Sequence, residues 1–152
     1  MLVVRYLFVA VVACLASCQS EPQRPTFAPS DAIDVMQEQV AAWNRGDIDG
    51  FMQGYWKSDS LQFITSKGLK TGWETVRQGY HRSYPTREKM GSLQFDYQRV
   101  EWADEREQRL HVLGRWKVQS VTDPSDTGHS GWFHLTFLGF PEGPRIVADH
   151  TW

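Results

Sequence analysis

The chain has 152 residues, of which 16 are Lys or Arg and 18 are Asp or Glu, so its formal net charge is −2. That length suits one domain, and the slightly acidic balance lacks the basic face on which nucleic-acid binding depends. A hydrophobic fraction of 41% excludes a disordered chain. Because 13% of the residues are aromatic, the chain can build a core and also line a pocket.

Residues 1–17 have the pattern of a secretory signal peptide. Arg5 is the only charge in this segment, and the apolar run over residues 6–15 is shorter than the ~20 residues that a membrane-spanning helix needs. A positive start, a short apolar run and small residues after it are typical of a signal peptide. A buried first strand or a short membrane anchor is the alternative interpretation.

The end of this segment, Leu15-Ala16-Ser17-Cys18, resembles the lipobox of bacterial lipoproteins. The resemblance implies cleavage before Cys18, whose sulfur and amine are then acylated. Several acyl chains on one residue would hold the protein firmly on a membrane. By the same resemblance, Gln19 implies a cell-envelope location on the outer membrane, facing the periplasm.

Residues 18–29 contain three prolines and no apolar periodicity, which predicts an extended tether. One folded domain is therefore expected over residues 30–152. The two cysteines of the chain are Cys14 and Cys18, so this domain has no thiol for a disulfide, a metal site or nucleophilic catalysis.

Two amphipathic segments open the domain. Ser30 and Asp31 are typical of a helix N-terminus, and apolar residues spaced three or four apart predict a first helix that continues to Trp43. Asp47 then predicts the start of a second, shorter helix that extends towards Tyr55.

A short strand and a third helix come next. The strand is expected over residues 61–65, followed by a turn at Lys67 and Gly68. A third helix is expected over residues 72–84, where an apolar and aromatic stripe has helical spacing and consists of Trp73, Val76, Tyr80 and Tyr84. Packing against a sheet is the ordinary role of such a stripe, and tyrosine hydroxyls that face a cavity are the alternative.

The residue pattern of the second half of the domain predicts a series of strands. Strands are expected over residues 93–102, 110–118, 131–138 and 145–152, and the first two of these segments alternate between apolar and polar residues. The apolar phase of the first shifts by one residue between Tyr97 and Val100, which predicts a β-bulge and a bent sheet. Helices followed by hairpin-linked strands indicate an α+β domain, in which a curved antiparallel sheet forms a cone or half-barrel packed with three N-terminal helices. Such a sheet leaves a hollow at its open end.

Four pieces of the chain, in this order, share a family pattern: residues 43–47 (WNRGD), the strand 61–65 with Gly72 after it, residues 90–93 (MGSL) and residues 146–151 (IVADHT). The set resembles the SnoaL-like branch of the nuclear transport factor 2-like, or ketosteroid-isomerase-like, superfamily. The resemblance implies a conical α+β barrel that often forms a homodimer through the outer face of its sheet. It implies no single function, because the superfamily includes isomerases, cyclases, dehydratases, binding domains and assembly domains.

Asp149 and His150 are the candidate catalytic pair. Histidine titrates near neutral pH and a desolvated aspartate can approach that range, so the two suit general acid–base catalysis. In a regular strand His150 would share a face with Ala148, and Asp149 with Val147, so both enter one cavity only if the strand twists or bulges. The alternative is structural, with Asp149 accepting hydrogen bonds and His150 packing.

No metal and no cofactor are expected. His134 should lie roughly opposite His150 on the neighbouring strand, but catalytic zinc uses three protein ligands and no third is evident in the sequence. The sequence also has no glycine-rich phosphate loop and no dinucleotide-binding fingerprint.

Seven residues are candidates to line the hollow: Tyr55, Tyr80, Tyr84, Tyr97, Trp116, Trp132 and His134. Apolar walls with a few hydroxyl groups suit a flat or aromatic small molecule, and an ordinary aromatic core is the alternative. The carboxylate base that ketosteroid isomerase chemistry requires has no counterpart in residues 61–65.

We therefore expect a lipid-anchored, non-catalytic protein of the cell envelope that binds a small apolar or aromatic ligand. Two alternatives stay open. One is an isomerase or dehydratase that uses Asp149, His150 and a tyrosine. The other is a homodimeric assembly module without a ligand.

Overall fold

The computed structural model describes residues 25–123 and 125–152, so the expected signal peptide, Cys18 and the first part of the expected tether lie outside the described residues. The helices are α1 (Pro29–Asn44), α2 (Ile48–Met52), α3 (Trp73–Ser83) and α4 (Arg87–Met90). The strands are β1 (Gln62–Thr65), β2 (Gly68–Thr71), β3 (Ser92–Asp104), β4 (Arg109–Gln119), β5 (His129–Leu138) and β6 (Arg145–Thr151). In the described ranges, no helix is both long enough and apolar enough to cross a bilayer.

All six strands form one curved, unclosed sheet in the order β2-β1-β6-β5-β4-β3, and the predicted α+β cone is confirmed. The sheet is not wholly antiparallel, since β1 runs parallel to β6 while every other pair is antiparallel. A parallel pair is possible here because β1 and β6 are far apart in sequence, so no hairpin between them requires an antiparallel direction. The helices cover the concave face of the sheet.

The helix starts follow local hydrogen bonding. Asp47 caps α2 as predicted, because its carboxylate accepts from the Gly50 N–H at 2.7 Å. In α1 the expected cap at Ser30 and Asp31 is wrong. Pro29 is already the first helical residue, and the Asp31 carboxylate reaches back to accept from the Ala28 N–H at 2.8 Å.

Two β-bulges shape the sheet. In β3 the register shifts between Tyr97 and Arg99, which confirms the predicted bulge. In β6 the register shifts again, because Phe137 pairs with Ile146 but the preceding residue of β5 pairs with Ala148. Val147 is the extra residue, and it reverses the alternation of every residue after it.

The core lies between α1, α2 and the end of the sheet where β4 and β6 begin, which we term the packed end. Six side chains with no exposed surface contribute to it: Met36, Met52, Leu110, Val112, Phe137 and Ile146. Phe27 also packs at this end, with its ring 5.0 Å from that of Trp102, and its N–H donates to Gln108 Oε1 at 3.0 Å. The packed structure thus already includes Phe27, ahead of the expected boundary at residue 30.

Candidate functional site

A cavity of about 310 Å³ lies between α3 and the concave face, at the opposite end of the sheet from the packed end. We term this the open end. The volume falls at the lower limit of small-molecule sites, which run from about 300 to 1,000 Å³. Phenylalanine and tryptophan side chains line its apolar wall, namely Trp43, Phe51, Phe63, Phe95, Trp116 and Phe133.

The inner end of the cavity carries a buried polar cluster centred on Asp149. Asp149 is 4% exposed. The Tyr55 hydroxyl donates to its Oδ2 at 2.7 Å, and the Thr151 hydroxyl donates to its Oδ1 at 2.5 Å. Tyr80 of α3 lines the cavity together with Tyr55, and besides burial the nearby negative charge of Asp149 raises the pKa of the Tyr80 hydroxyl group. Polar groups from the segment after α2, from α3 and from β6 therefore lie together at the inner end of the cavity.

Tyr55 is held in this cluster by the backbone around it. It forms an isolated bridge with Ile146, the Trp56 N–H donates to the Ile146 carbonyl at 2.9 Å, and the Ile146 N–H donates to the Gly54 carbonyl at 2.9 Å. The segment after α2 is thus fastened to β6, the strand that also carries Asp149.

Burial controls the electrostatics of the cluster. It raises the pKa of Asp149 to about 6, although the hydroxyl donors of Thr151 and Tyr55 stabilise the carboxylate and oppose this shift. Burial, and next the negative charge of Asp149, raise the pKa of both Tyr55 and Tyr80. The two phenols therefore stay protonated, while Asp149 can gain or lose a proton close to neutral pH.

The mouth of the cavity is basic. We term its edge the rim, and it includes the exposed residues Ser66, Lys67, Lys70 and Ser83. Neither lysine belongs to any of the ion pairs found within the described residues. Gly79 of α3 also borders the cavity, and a Cβ placed there would meet only the Lys70 Nζ, at 3.7 Å.

Five of the predicted site residues line this cavity: Tyr55, Tyr80, Tyr84, Trp116 and Asp149. Four others do not belong to its lining, namely Tyr97, Trp132, His134 and His150. Tyr97 is half-buried near the β3 edge of the sheet, with its ring 6.5 Å from that of Phe95.

The remaining three predicted residues lie on the convex face of the sheet. His134 and His150 are opposite each other in the register, and the His134 ring is 4.6 Å from that of His111. Trp132 is 37% exposed, and the Arg115 guanidinium lies over its ring at 5.4 Å. Asp149 and His150 point to opposite faces because neighbouring residues of a strand alternate. The Val147 bulge, which precedes both, makes Asp149 the inward residue of the two.

Several lining residues were missed in the sequence. Thr151 lies two residues after Asp149 on the same face of β6, so strand alternation could have indicated it. Lys67 and Lys70 reach the rim only because a short hairpin forms an edge of the sheet. Within residues 25–123 and 125–152, no three His, Cys, Asp or Glu side chains cluster closely enough to hold a metal ion.

Comparisons with known proteins identify the fold and a relative. No protein-family model matches the chain, and no curated protein matches it. A structure described as an NTF-2 like protein of unknown function from Shewanella oneidensis is 30% identical, with a TM-score of 0.73, and the match covers 80% of this chain and 96% of that one.

Two more distant structures are similar in fold alone. A ketosteroid isomerase-like protein from Erwinia carotovora has 12% identity and a TM-score of 0.62, with 80% of this chain and 92% of that chain covered. A nuclear transport factor 2 superfamily protein from Salmonella enterica has 13% identity and a TM-score of 0.61, with 82% and 89% covered. The Shewanella relative, at 30% identity and with a match over nearly its whole length, shows that this chain belongs to the nuclear transport factor 2-like superfamily.

Proposed function

We propose that this protein binds a small apolar or aromatic molecule inside the cone without transforming it. The observation that carries the proposal is the 310 Å³ cavity with aromatic walls and one polar cluster at its inner end. Aromatic walls favour a flat apolar ligand, because binding removes apolar surface of both partners from water. Each Å² of apolar surface buried contributes roughly 25 cal/mol of favourable free energy. The hydroxyl groups at the inner end provide orientation through hydrogen bonds.

A thermal-shift screen of the full-length chain against a panel of small aromatic and alicyclic metabolites tests this proposal. A ligand at about 100 times its dissociation constant stabilises the folded state by about 2.7 kcal/mol, which raises the melting temperature measurably. We expect at least one compound to do so. If no compound shifts the melting temperature, the proposal is wrong.

A blocking variant locates the binding. Gly79→Phe places a ring at the mouth, where a Cβ meets only the Lys70 ammonium, and phenylalanine is no worse than glycine in a helix. Gln78→Phe is the matched control, because its exposed side chain lies on the same helix outside the cavity lining. Binding should be lost in the first variant and retained in the second.

Acid–base catalysis is the second candidate function, and the Asp149 and Tyr55 pair favours it. A buried carboxyl group with a pKa of about 6 suits proton abstraction near neutral pH, and a tyrosine hydroxyl can stabilise an oxyanion. His150 has no part in this version, because it lies on the convex face. Deuterium exchange at the carbon next to the carbonyl of a bound ketone, abolished by Asp149→Asn, would support catalysis over binding alone.

We also propose that Cys18 carries lipid and holds the domain at the cell envelope, on the outer membrane. The lipobox-like residues before Cys18 support this. Replacing Cys18 with Ser should move the protein from the membrane fraction to the soluble fraction, and unchanged fractionation would contradict the anchor.

Homodimer formation through the convex face is a separate proposal. Two exposed tryptophans support it, since Trp132 is 37% and Trp152 is 51% exposed, and aromatic residues are enriched in protein interfaces. Sedimentation velocity of the wild type and of Trp152→Ser tests it. A monomeric wild type would contradict the proposal.

A further inference from the structure

We propose that the ligand is a monoanion, namely an apolar or aromatic carboxylic acid that enters ring-first and leaves its carboxylate at Lys67 and Lys70 on the rim. The inference rests on the proposed function, since it names the class of molecule that the cavity holds. Three features of the cavity carry it: the order of residues along the concave face, the charge of the rim and the charge of the inner end.

The sheet register places a positive group, an apolar surface and an acidic group in one row. Phe63 of β1 pairs with Lys70 of β2 on one side and with Asp149 of β6 on the other. Neighbouring strands are about 4.8 Å apart, so two strand spacings separate the backbones of Lys70 and Asp149 by about 10 Å. The Phe63 ring lines the cavity between them. The row thus has a basic group at one end, an acidic group at the other and an aromatic surface between them.

The rim attracts a negative charge. Lys67 and Lys70 both line the mouth, and Asp149 is the one acidic residue among the described residues that line the cavity. Gly79 keeps the space beside the Lys70 ammonium open on the side of α3. A carboxylate at the mouth can therefore contact ammonium groups that have no carboxylate partner in the described part of the chain.

The inner end rejects the same charge. Both carboxylate oxygens of Asp149 already accept hydrogen bonds, from Tyr55 and Thr151, and the group is almost fully buried. A second carboxylate placed there would face an anion in a medium of low dielectric constant, which is costly. The acid group of a ligand must therefore stay at the rim, and a molecule with acid groups at both ends is disfavoured.

Three naphthalene probes of nearly equal size test the charge preference: 2-naphthoate, naphthalene-2-methanol and 2-naphthylmethylammonium. Binding to the full-length chain in a non-ionic detergent is measured by titration calorimetry. We expect the carboxylate to bind about fivefold more tightly than the alcohol, as for two partly screened ion pairs. We expect the ammonium probe to bind most weakly. The preference for the carboxylate should shrink as salt increases.

Rim variants separate charge from shape. The double variant Lys67→Gln and Lys70→Gln should bind the carboxylate and the alcohol equally, with unchanged affinity for the alcohol. Lys89→Gln is the matched control, because Lys89 is exposed on α4 and does not line the cavity. It should keep the full preference for the carboxylate.

Each outcome decides between the two proposals. If the alcohol binds as tightly as the carboxylate, the monoanion inference is wrong and the binding function stands. If the double variant lowers the affinity for the carboxylate and for the alcohol equally, the lysines contribute through the shape of the mouth and not through charge. The inference is then also wrong. If none of the probes binds, the inference fails together with the suitability of the cavity for flat aromatic molecules.

Discussion

The concave and convex faces of the sheet are built from alternate residues of the same strands, yet they have different chemistry. The concave face holds aromatic rings and one buried acid, Asp149. The convex face holds imidazole rings and an arginine stacked on Trp132. A single extra residue, Val147, determines which of the two faces receives Asp149. Strand register, more than residue type, therefore determines which polar groups can meet a ligand.

The largest expected effect comes from removing apolar volume on one face only. Leu110 is fully buried on the concave face, whereas Leu113 is half-buried on the convex face, opposite His134. Leu110→Ala should lower the free energy of unfolding by about 2–5 kcal/mol, and Leu113→Ala by less than about 1 kcal/mol. Urea denaturation of both variants checks this, and equal losses would contradict the difference between the faces.

The second effect is a pH-dependent difference between Asp149→Asn and the wild type. Burial raises the pKa of Asp149 to about 6 in the folded protein, while the pKa of an unfolded aspartate is about 3.9. Because the folded state binds this proton more tightly than the unfolded state, ionisation destabilises the wild type as the pH rises through this interval. The penalty is absent below about pH 4 and complete above about pH 6.

Urea denaturation from about pH 4 to pH 7 should therefore show Asp149→Asn gaining roughly 2–3 kcal/mol relative to the wild type. Other titrating groups are shared by the two proteins, so their contributions largely cancel in the difference. Parallel pH profiles would mean that Asp149 titrates normally in the folded state.

A smaller effect is expected from filling open space at the mouth. Gly79→Ala should stabilise the protein by about 0.5–1 kcal/mol, because alanine favours a helix more than glycine and the new methyl group meets only the Lys70 Nζ at 3.7 Å. Gly114→Ala is the contrasting variant, since its Cβ would lie 2.5 Å from the Asp96 carbonyl oxygen, and it should destabilise. Thermal denaturation of the two variants shows whether the melting temperature rises for Gly79→Ala and falls for Gly114→Ala.

The smallest effect is expected at His150, next to Asp149 in sequence but on the other face. His150→Ala should change the free energy of unfolding by no more than about 0.5 kcal/mol and should leave affinity in the cavity unchanged. Calorimetric titration with the naphthalene probes measures the affinity. A clear loss of affinity for the probes in His150→Ala would assign His150 to the site.

The sequence predicted most elements because their periodicity was clear, and it failed where periodicity was absent. The β3 bulge was visible because the apolar phase changes from Tyr97 to Val100. The β6 bulge was not visible, because Ile146, Val147 and Ala148 are all apolar and suit either register. The placement of Asp149 and His150 therefore required the pairing of β6 with β5.

Two short elements were also missed. Strand β2 is exposed along its whole length, and α4 is one turn capped by Thr86, so neither has an apolar pattern to indicate it. The basic rim was missed together with β2, because only the pairing of β2 with β1 brings Lys67 and Lys70 to the mouth of the cavity. Local pattern predicts which residues are inside, but not which of them meet at a cavity.

The contact of Phe27 with Trp102 has a consequence for how the domain would be oriented on a surface. Pro25 and Phe27 lie against Gly139, at the packed end of the sheet, so the chain joins the domain at the pole opposite the mouth. Only six residues separate Cys18 from Pro25, and an extended chain covers at most about 3.6 Å per residue. If Cys18 is lipidated, the packed end therefore lies close to the lipid headgroups. The mouth of the cavity then faces away from the bilayer and is accessible to solutes of the surrounding compartment.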